Sequence, residues 1–428
     1  YELFHLLSGV TPLLIINTQH GVPRTERDRS PEQLKREIEK IGKYRALDSQ
    51  LRIQTSESRF DSATLELTTK LLRINPEYYT VWNTRRRCLI SGPFEKKKRE
   101  ESLPQCALER QEAIVGPIDA PRSLPQTNSS ETETKRDRST TSKRDAAPRE
   151  KQKDGNEVNI SQCSETVRDE LIFTVPLLMA HPKCYWIWNY RMWVLEQATS
   201  LLSVELAKSV WQEELELVGK MLERDRRNYH AWAYRRYIVA HLESAELEGR
   251  SMAESEFAYT TKMIEGDLSN FSAWHNRAQL IPRLLVEREA DDSSRRAFLD
   301  QELTMVDNGL NVGPEDQSLW YYHQYLIWSV AEQPANLSII PGMAVDDRVN
   351  LITRETDFMK DLLDDYKDVK WIFEMLLEYT LLISKLREKS LNTEQKCELE
   401  GWVLRIKQLD PQRSNRWEEL TEKLEITP

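Results

Sequence analysis

A tryptophan returns along this chain at a near-constant interval, each time three residues after an aromatic and three before an arginine. The pattern is densest in HPKCYWIWNYRMWVLEQ (181–197), which carries Tyr185, Trp188 and Arg191. It recurs as Tyr229, Trp232 and Arg235, as Phe271, Trp274 and Arg277, and nearer the start as Tyr79, Trp82 and Arg85. A looser copy has Trp320, with His323 at the arginine position. From Trp188 onward the tryptophans stand 44, 42 and 46 residues apart. A fixed period of this length marks stacked helical repeats, so the repeat governs the reading of every residue within it.

The columns define the unit. Upstream of the tryptophan runs a helical pattern, clearest in EELELVGKMLERD (213–225) and ESEFAYTTKMIEGD (254–267). A short polar connection follows, with Asn228 or Asn270 as a stop and N-cap signal. Downstream, the sixth and seventh residues after each tryptophan are apolar: Cys88-Leu89, Val194-Leu195, Ile238-Val239, Leu280-Ile281 and Leu326-Ile327. A tryptophan and an aliphatic seven residues on share one face of a 3.6-residue helix. Each unit therefore reads as a helical hairpin with the tryptophan near the start of its second helix. A lone hairpin cannot cover its apolar face, so the units must stack, and the fold class is all-α.

Composition agrees. Only 13 of 428 residues are glycine, which disfavours glycine-rich nucleotide folds. The net charge of −10 gives little electrostatic support to non-specific nucleic-acid binding. The five cysteines form no CxxC pair and are odd in number, as expected of reduced thiols in the cytoplasm. No HExxH, Cys/His cluster, GxxxxGK[ST], GxGxxG or GxSxG occurs, so the chain offers no complete active site of its own.

Residues 1–19 are apolar but too short for a membrane-spanning helix and are left unassigned. Residues 20–100 hold N-terminal helices and the first repeat. Residues 101–165, dominated by Ser, Thr, Pro, Asn and mixed charge, are expected to be a disordered insertion. The central repeats fill 166–335. In 336–428, Trp371 and Trp417 mark degenerate repeats of the kind that cap a solenoid.

Polar residues just before each tryptophan fall on the hairpin turns. A partner pressed against that edge would meet Lys183, Tyr185, Asn228, Tyr229 and His230. On composition alone these are ordinary turn residues and Lys183 a solvated lysine. The columns Trp82, Trp188, Trp232, Trp274 and Trp320 read as core. Arg85, Arg191, Arg235 and Arg277 read as structural, each guanidinium bonding carboxylates or carbonyls of the preceding turn and stacking on an aromatic face.

Repeats of the form P-K-x-Y-x-x-W-x-x-R and D-x-x-N-Y-H-x-W-x-x-R resemble those of protein prenyltransferase alpha subunits. The likeness covers 20–330 apart from the insertion. His20-Gly21-Val22, KCYWIWNYRMWVL and DQSLWYYHQYLIW make it most similar, within that family, to the type II (Rab geranylgeranyltransferase) alpha subunits of short, fungal type. The resemblance implies a superhelical crescent of antiparallel hairpins in an obligate heterodimer with a beta subunit, which holds the zinc; this chain holds none. It implies as further partners geranylgeranyl diphosphate, Rab GTPases and their escort protein. It also implies that Lys183 stabilises the diphosphate and that Tyr185, Asn228, Tyr229 and His230 lie at the active-site mouth. His20 is matched to a histidine that can reach the beta-subunit zinc, although nineteen residues precede it here. Position 271 is Phe where the pattern usually has Tyr, so no polar role is expected there. Two alternatives stand beside this reading. One is the alpha subunit shared by farnesyltransferase and geranylgeranyltransferase type I. The other is a non-catalytic scaffold of the tetratricopeptide kind, against which the longer period argues.

Overall fold

The structure, a computed structural model, describes residues 18–19, 22–23, 30–95, 151–332 and 338–423. They fall into two compact units divided between 147 and 148. In the first unit, β1 (Thr18–Gln19) and β2 (Val22–Pro23) pair antiparallel. Three helices follow: α1 (Pro31–Ser56), α2 (Ser62–Ile74) and α3 (Tyr79–Ile90). Ser30 and Gln33 form a capping box at the start of α1, and the Asp61 carboxylate caps α2 by accepting from the Thr64 amide at 2.9 Å. Helices α2 and α3 are the first hairpin, closed over Trp82.

The second unit is a succession of hairpins. Its first helices are α4 (Lys151–Ala180), α6 (Val204–Arg224), α8 (Ala253–Gly266), α10 (Asp292–Val312), α12 (Val345–Asp365) and α14 (Thr393–Leu409). Each packs on the helix that follows it: α5 (Tyr185–Leu201), α7 (Tyr229–Leu242), α9 (Phe271–Glu287), α11 (Gln317–Ala331), α13 (Lys370–Leu386) and α15 (Ser414–Lys423). The expected all-α hairpin array is therefore present, and Trp371 and Trp417 sit buried in the two terminal hairpins.

The tryptophan column does more than fill the core. In every well-formed repeat the indole N–H donates to the carbonyl six residues earlier, closing the hairpin turn. Trp82 bonds Pro76 at 2.8 Å, Trp188 bonds Pro182 at 2.9 Å and Trp232 bonds Arg226 at 2.8 Å. Trp274 bonds Leu268 at 2.7 Å and Trp320 bonds Pro314 at 2.6 Å. The buried ring keeps its polar edge satisfied while fixing the turn. In the terminal hairpin the Trp417 indole nitrogen is buried without a hydrogen-bond partner among the described residues, so this closure is lost there.

Two expectations need correction. Residues 151–165, assigned to the disordered insertion, belong to α4, while 101–150 lie outside the described residues. The physical reason is visible at Cys163 and Val167, both buried and four residues apart, so the apolar stripe of α4 begins inside the polar stretch. The second correction concerns the arginines. Their carboxylate partners lie not on the preceding turn but on the first helix of the following hairpin. Arg191 on α5 holds Glu214 on α6 through Nε at 3.1 Å and through Nη2. Arg235 on α7 holds Glu256 on α8 at 2.8 and 2.6 Å. Arg277 on α9 holds Glu302 on α10 at 2.7 and 2.6 Å.

The arginines also meet carbonyl, hydroxyl and aromatic groups of the helices around them. Within their own hairpins Arg191 donates to the Leu171 carbonyl at 2.7 Å, and Arg85 to Thr69 Oγ1 at 2.7 Å. Arg235 and Arg277 stack on Tyr259 and Phe257 at 3.4 and 3.7 Å from the ring centres. A tyrosine then joins the next helix to the same glutamate: Tyr234 on α7 donates to Glu214 at 2.6 Å, and Tyr322 on α11 donates to Glu302. Successive hairpins are thus stitched by buried bidentate ion pairs, the strong form of the interaction.

Candidate functional site

Each turn ends in the first residue of a second helix, and at that position the side chain points out. Tyr185 is 49% exposed, Tyr229 69% and Phe271 59%. In α11 the first position is Gln317, and Tyr321, one turn further on, is 54% exposed. Three consecutive hairpins therefore carry an exposed aromatic ring at the first position of their second helix. Single exposed apolar residues are ordinary, whereas a set repeated at one register is not.

Lys183 lies in the first of these turns and is exposed. It makes no hydrogen bond or ion pair among the described residues. What fixes it is the backbone beside it. The Pro182 carbonyl accepts from Trp188 Nε1 at 2.9 Å and from Asn228 Nδ2 at 3.3 Å. Asn228 meanwhile caps α7, its Oδ1 accepting from the Ala231 amide at 3.1 Å. One asparagine thus ties the α4–α5 turn to the α6–α7 turn.

Asn228 was expected at the mouth, where a partner could meet it. The structure instead buries it to 2% exposure, so its role is positioning rather than contact. The other expected residues do come together. Tyr185 lies 6.3 Å from His230 ring to ring, and His230 lies 5.5 Å from Tyr229. His230 is half-buried. His20 lies outside the described residues.

The sequence reading missed Arg227. It occupies, five residues before Trp232, the register that Lys183 occupies before Trp188. The same register holds Ser269 and then Glu315, so the edge runs from basic to acidic along the array. Arg227 is exposed and lies 3.5 Å from Asp267, a loose surface pair. Aligning the repeats on their tryptophans would have exposed it. Chemically, the first two turns offer two cations beside three aromatic or imidazole rings.

Asn228→Ala should cost about 1 kcal/mol, the usual worth of an N-cap. Asn228→Ser should recover most of that stability but not the bond to Pro182, because the side chain is too short to reach it. Hydrogen exchange at 181–184 should then be faster in both variants, and thermal unfolding lower only in the alanine one. Unchanged exchange in either variant would refute the bridging role.

Comparison with known proteins places these features. The repeat pattern described as "Protein prenyltransferase alpha subunit repeat" matches residues 61–91, 167–198, 211–242, 253–284 and 299–330. The chain is 30% identical over 254 residues to the geranylgeranyl transferase type-2 subunit alpha of Saccharomyces cerevisiae, covering 59% of this chain and 72% of that protein. To the protein of the same name from Schizosaccharomyces pombe it is 29% identical over 415 residues, 95% of this chain and 98% of the relative. Among solved structures, Candida albicans protein geranylgeranyltransferase-I complexed with GGPP matches with a TM-score of 0.52 at 18% identity. That match spans 90% of this chain and 91% of the other, and is a likeness of fold.

Proposed function

Because the chain belongs to the protein prenyltransferase alpha-subunit family, we propose that it is the alpha subunit of a type II, Rab-directed geranylgeranyltransferase. In this reading it acts in the cytoplasm with a beta subunit. The pair moves the geranylgeranyl group of geranylgeranyl diphosphate onto C-terminal cysteines of Rab GTPases presented by an escort protein. The observation that carries the reading is Lys183: an exposed ammonium, unpaired among the described residues, on a turn whose backbone is held from two sides. The fungal relatives named above are type-2 subunits, which favours this over the type I or farnesyl alternative.

The reaction joins the cysteine sulfur to C1 of the lipid while the C1–O bond breaks. The bonding pair leaves with the diphosphate. Zinc, held by the beta subunit, would lower the pKa of the attacking thiol. This chain's contribution is charge and position. The Lys183 ammonium meets the negative charge that builds on the diphosphate as it departs, where a preorganised cation has most effect. Tyr185, Tyr229 and His230 line the approach, and Asn228 holds the turn. No helix among the described residues is long and apolar enough to cross a membrane.

Co-expression with a type II beta subunit, followed by prenylation of Rab with escort protein and of CaaX peptides, tests the assignment. Transfer to Rab and not to the peptides is the expected result. Transfer to CaaX peptides alone would overturn it in favour of the type I or farnesyl enzyme.

The row of exposed rings leads to a second expectation. A permanent interface of this kind buries more than about 2,000 Å². Expressed alone, the chain should aggregate or associate non-specifically and should lack transferase activity. A monodisperse, active preparation of the single chain would refute the obligate partnership.

A further inference from the structure

In the second unit the joints between hairpins follow one rule until the fourth. From α5 to α6, α7 to α8 and α9 to α10, a buried arginine neutralises one buried glutamate of the next hairpin. Between α11 and α12 the glutamate is kept as Glu355, but the arginine is replaced by His323, and both are fully buried. A second carboxylate is also added. Sixteen residues before Arg85 and Arg277 the chain places Thr69 and Thr261, whose hydroxyls accept from the guanidinium at 2.7 and 2.8 Å. Sixteen residues before His323 stands Asp307. A joint that balanced one cation against one anion thus becomes one imidazole facing two carboxylates.

The three groups converge. His323 Nε2 lies 3.0 Å from Glu355 Oε2 and 3.6 Å from Asp307 Oδ1. All three ligating atoms lie within 4.8 Å of one another. Asp307 Oδ1 is shielded from solvent and has no hydrogen-bond partner among the described residues. Such an oxygen is costly to bury unless something positive meets it. Arg354, the nearby arginine, is turned to the other oxygen of Glu355 at 2.9 Å. On the far side of the ring, His323 Nδ1 lies 2.7 Å from the Tyr379 hydroxyl. That contact sets the ring's orientation, as partners of metal-bound histidines do.

We propose that Asp307, His323 and Glu355 bind a divalent transition-metal ion of the zinc, cobalt or manganese class. The ion bridges α10, α11 and α12 where the other joints use arginine. The donor set of one imidazole nitrogen and two carboxylate oxygens suits these ions; calcium and magnesium prefer oxygen alone. Metal bonds of about 2.1 Å at tetrahedral angles put ligand atoms about 3.4 Å apart, so small side-chain shifts complete the site. Two carboxylates and a neutral imidazole around M²⁺ sum to zero, and Arg354, on the outer oxygen of Glu355, is shared with Asp300. On binding, Nε2 gives up any proton to solvent. The ring proton then sits on Nδ1, donated to the Tyr379 oxygen. The fourth position is left for water, entering past Asp307, whose side chain is the most open of the three at 22% exposure.

The test uses the full-length chain co-purified with its beta subunit, so that any metal of the partner is common to all samples. Wild type, Asp307→Asn and His323→Arg are equilibrated with buffered Zn²⁺, separated from free ion, and their metal content measured. Wild type should carry one equivalent more than either variant. His323→Arg installs the residue of the other joints opposite Glu355 and so should stay folded if Asp307→Asn does not. In Co²⁺-loaded samples the visible bands of a four-coordinate N/O site should appear in wild type and be missing from the variants as a difference spectrum. Equal zinc content in wild type and His323→Arg, or identical cobalt spectra, would overturn the proposal and leave the joint as a hydrogen-bonded His–carboxylate cluster.

Discussion

Replacing Lys183 by alanine should lower the single-turnover rate of geranylgeranyl transfer by roughly 10²–10³-fold, the usual cost of removing one preorganised donor from a developing negative charge. The side chain is exposed and free of protein partners among the described residues, so its ammonium is available to a ligand rather than spent on the fold. The turn that carries it is held by Trp188 and Asn228 through the Pro182 carbonyl, and neither bond involves the lysine side chain. Heterodimer formation and thermal unfolding should therefore match wild type. Binding of geranylgeranyl diphosphate should weaken less than the chemical step slows, since the charge to be met is largest as the diphosphate leaves. Lys183→Arg should recover only part of the rate, because a planar fork replaces a compact point charge. Rapid-mixing measurements at saturating lipid and Rab–escort complex give the rate directly. A wild-type rate in an intact Lys183→Ala heterodimer would return this lysine to solvent.

The parts of this picture that the sequence carried are those that recur at fixed offsets. Trp188, Trp232 and Trp274 are legible because the interval between them is nearly constant and each is followed by aliphatics one helical face away. Asn228 and Asn270 are legible as caps because a cap bonds only three residues ahead, to Ala231 and Ala273. The arginine partners were hidden for the opposite reason. Glu214, Glu256 and Glu302 follow their arginines by 23, 21 and 25 residues, so loop length blurs the register that space keeps exact to a hydrogen bond. The bond from Asn228 to Pro182 spans 46 residues and has no local signature at all. The start of α4 was masked by composition, because residues 151–162 are mostly polar and only Cys163, Val167 and Leu171 reveal the buried stripe. In the sequence His323 is only the residue at the arginine position of a looser repeat. Its meaning emerges only when Asp307 and Glu355 are seen on either side of it.

Glu214→Ala should be the most destabilising single change in the second unit among those that leave the aromatic core intact. The carboxylate joins three helices: Arg191 on α5 reaches it with two nitrogens, and Tyr234 on α7 donates to it at 2.6 Å. The Arg191 and Glu214 side chains are 1% and 5% exposed, so water cannot replace what is lost. Burial alone would lower the affinity of the guanidinium for its proton, but Glu214 and Tyr234 outweigh that and raise it. Removing the glutamate leaves a charged guanidinium and a phenol hydroxyl buried without their acceptor. Breaking a buried pair in this way costs about 3–5 kcal/mol, well beyond the worth of the pair relative to an apolar substitute. The adjacent Glu213→Ala provides the control. Its partner Arg168 is about half exposed, and such a surface pair contributes at most about 1 kcal/mol. Denaturant unfolding of the heterodimer should be compared at equal protomer concentration, since assembly shifts the apparent stability. Hydrogen exchange should quicken across α5, α6 and α7 together, because all three helices meet at this one carboxylate. A loss for Glu214→Ala no larger than that for Glu213→Ala would mean that the hairpins are held by apolar packing alone and that the buried ion pairs do not stitch them.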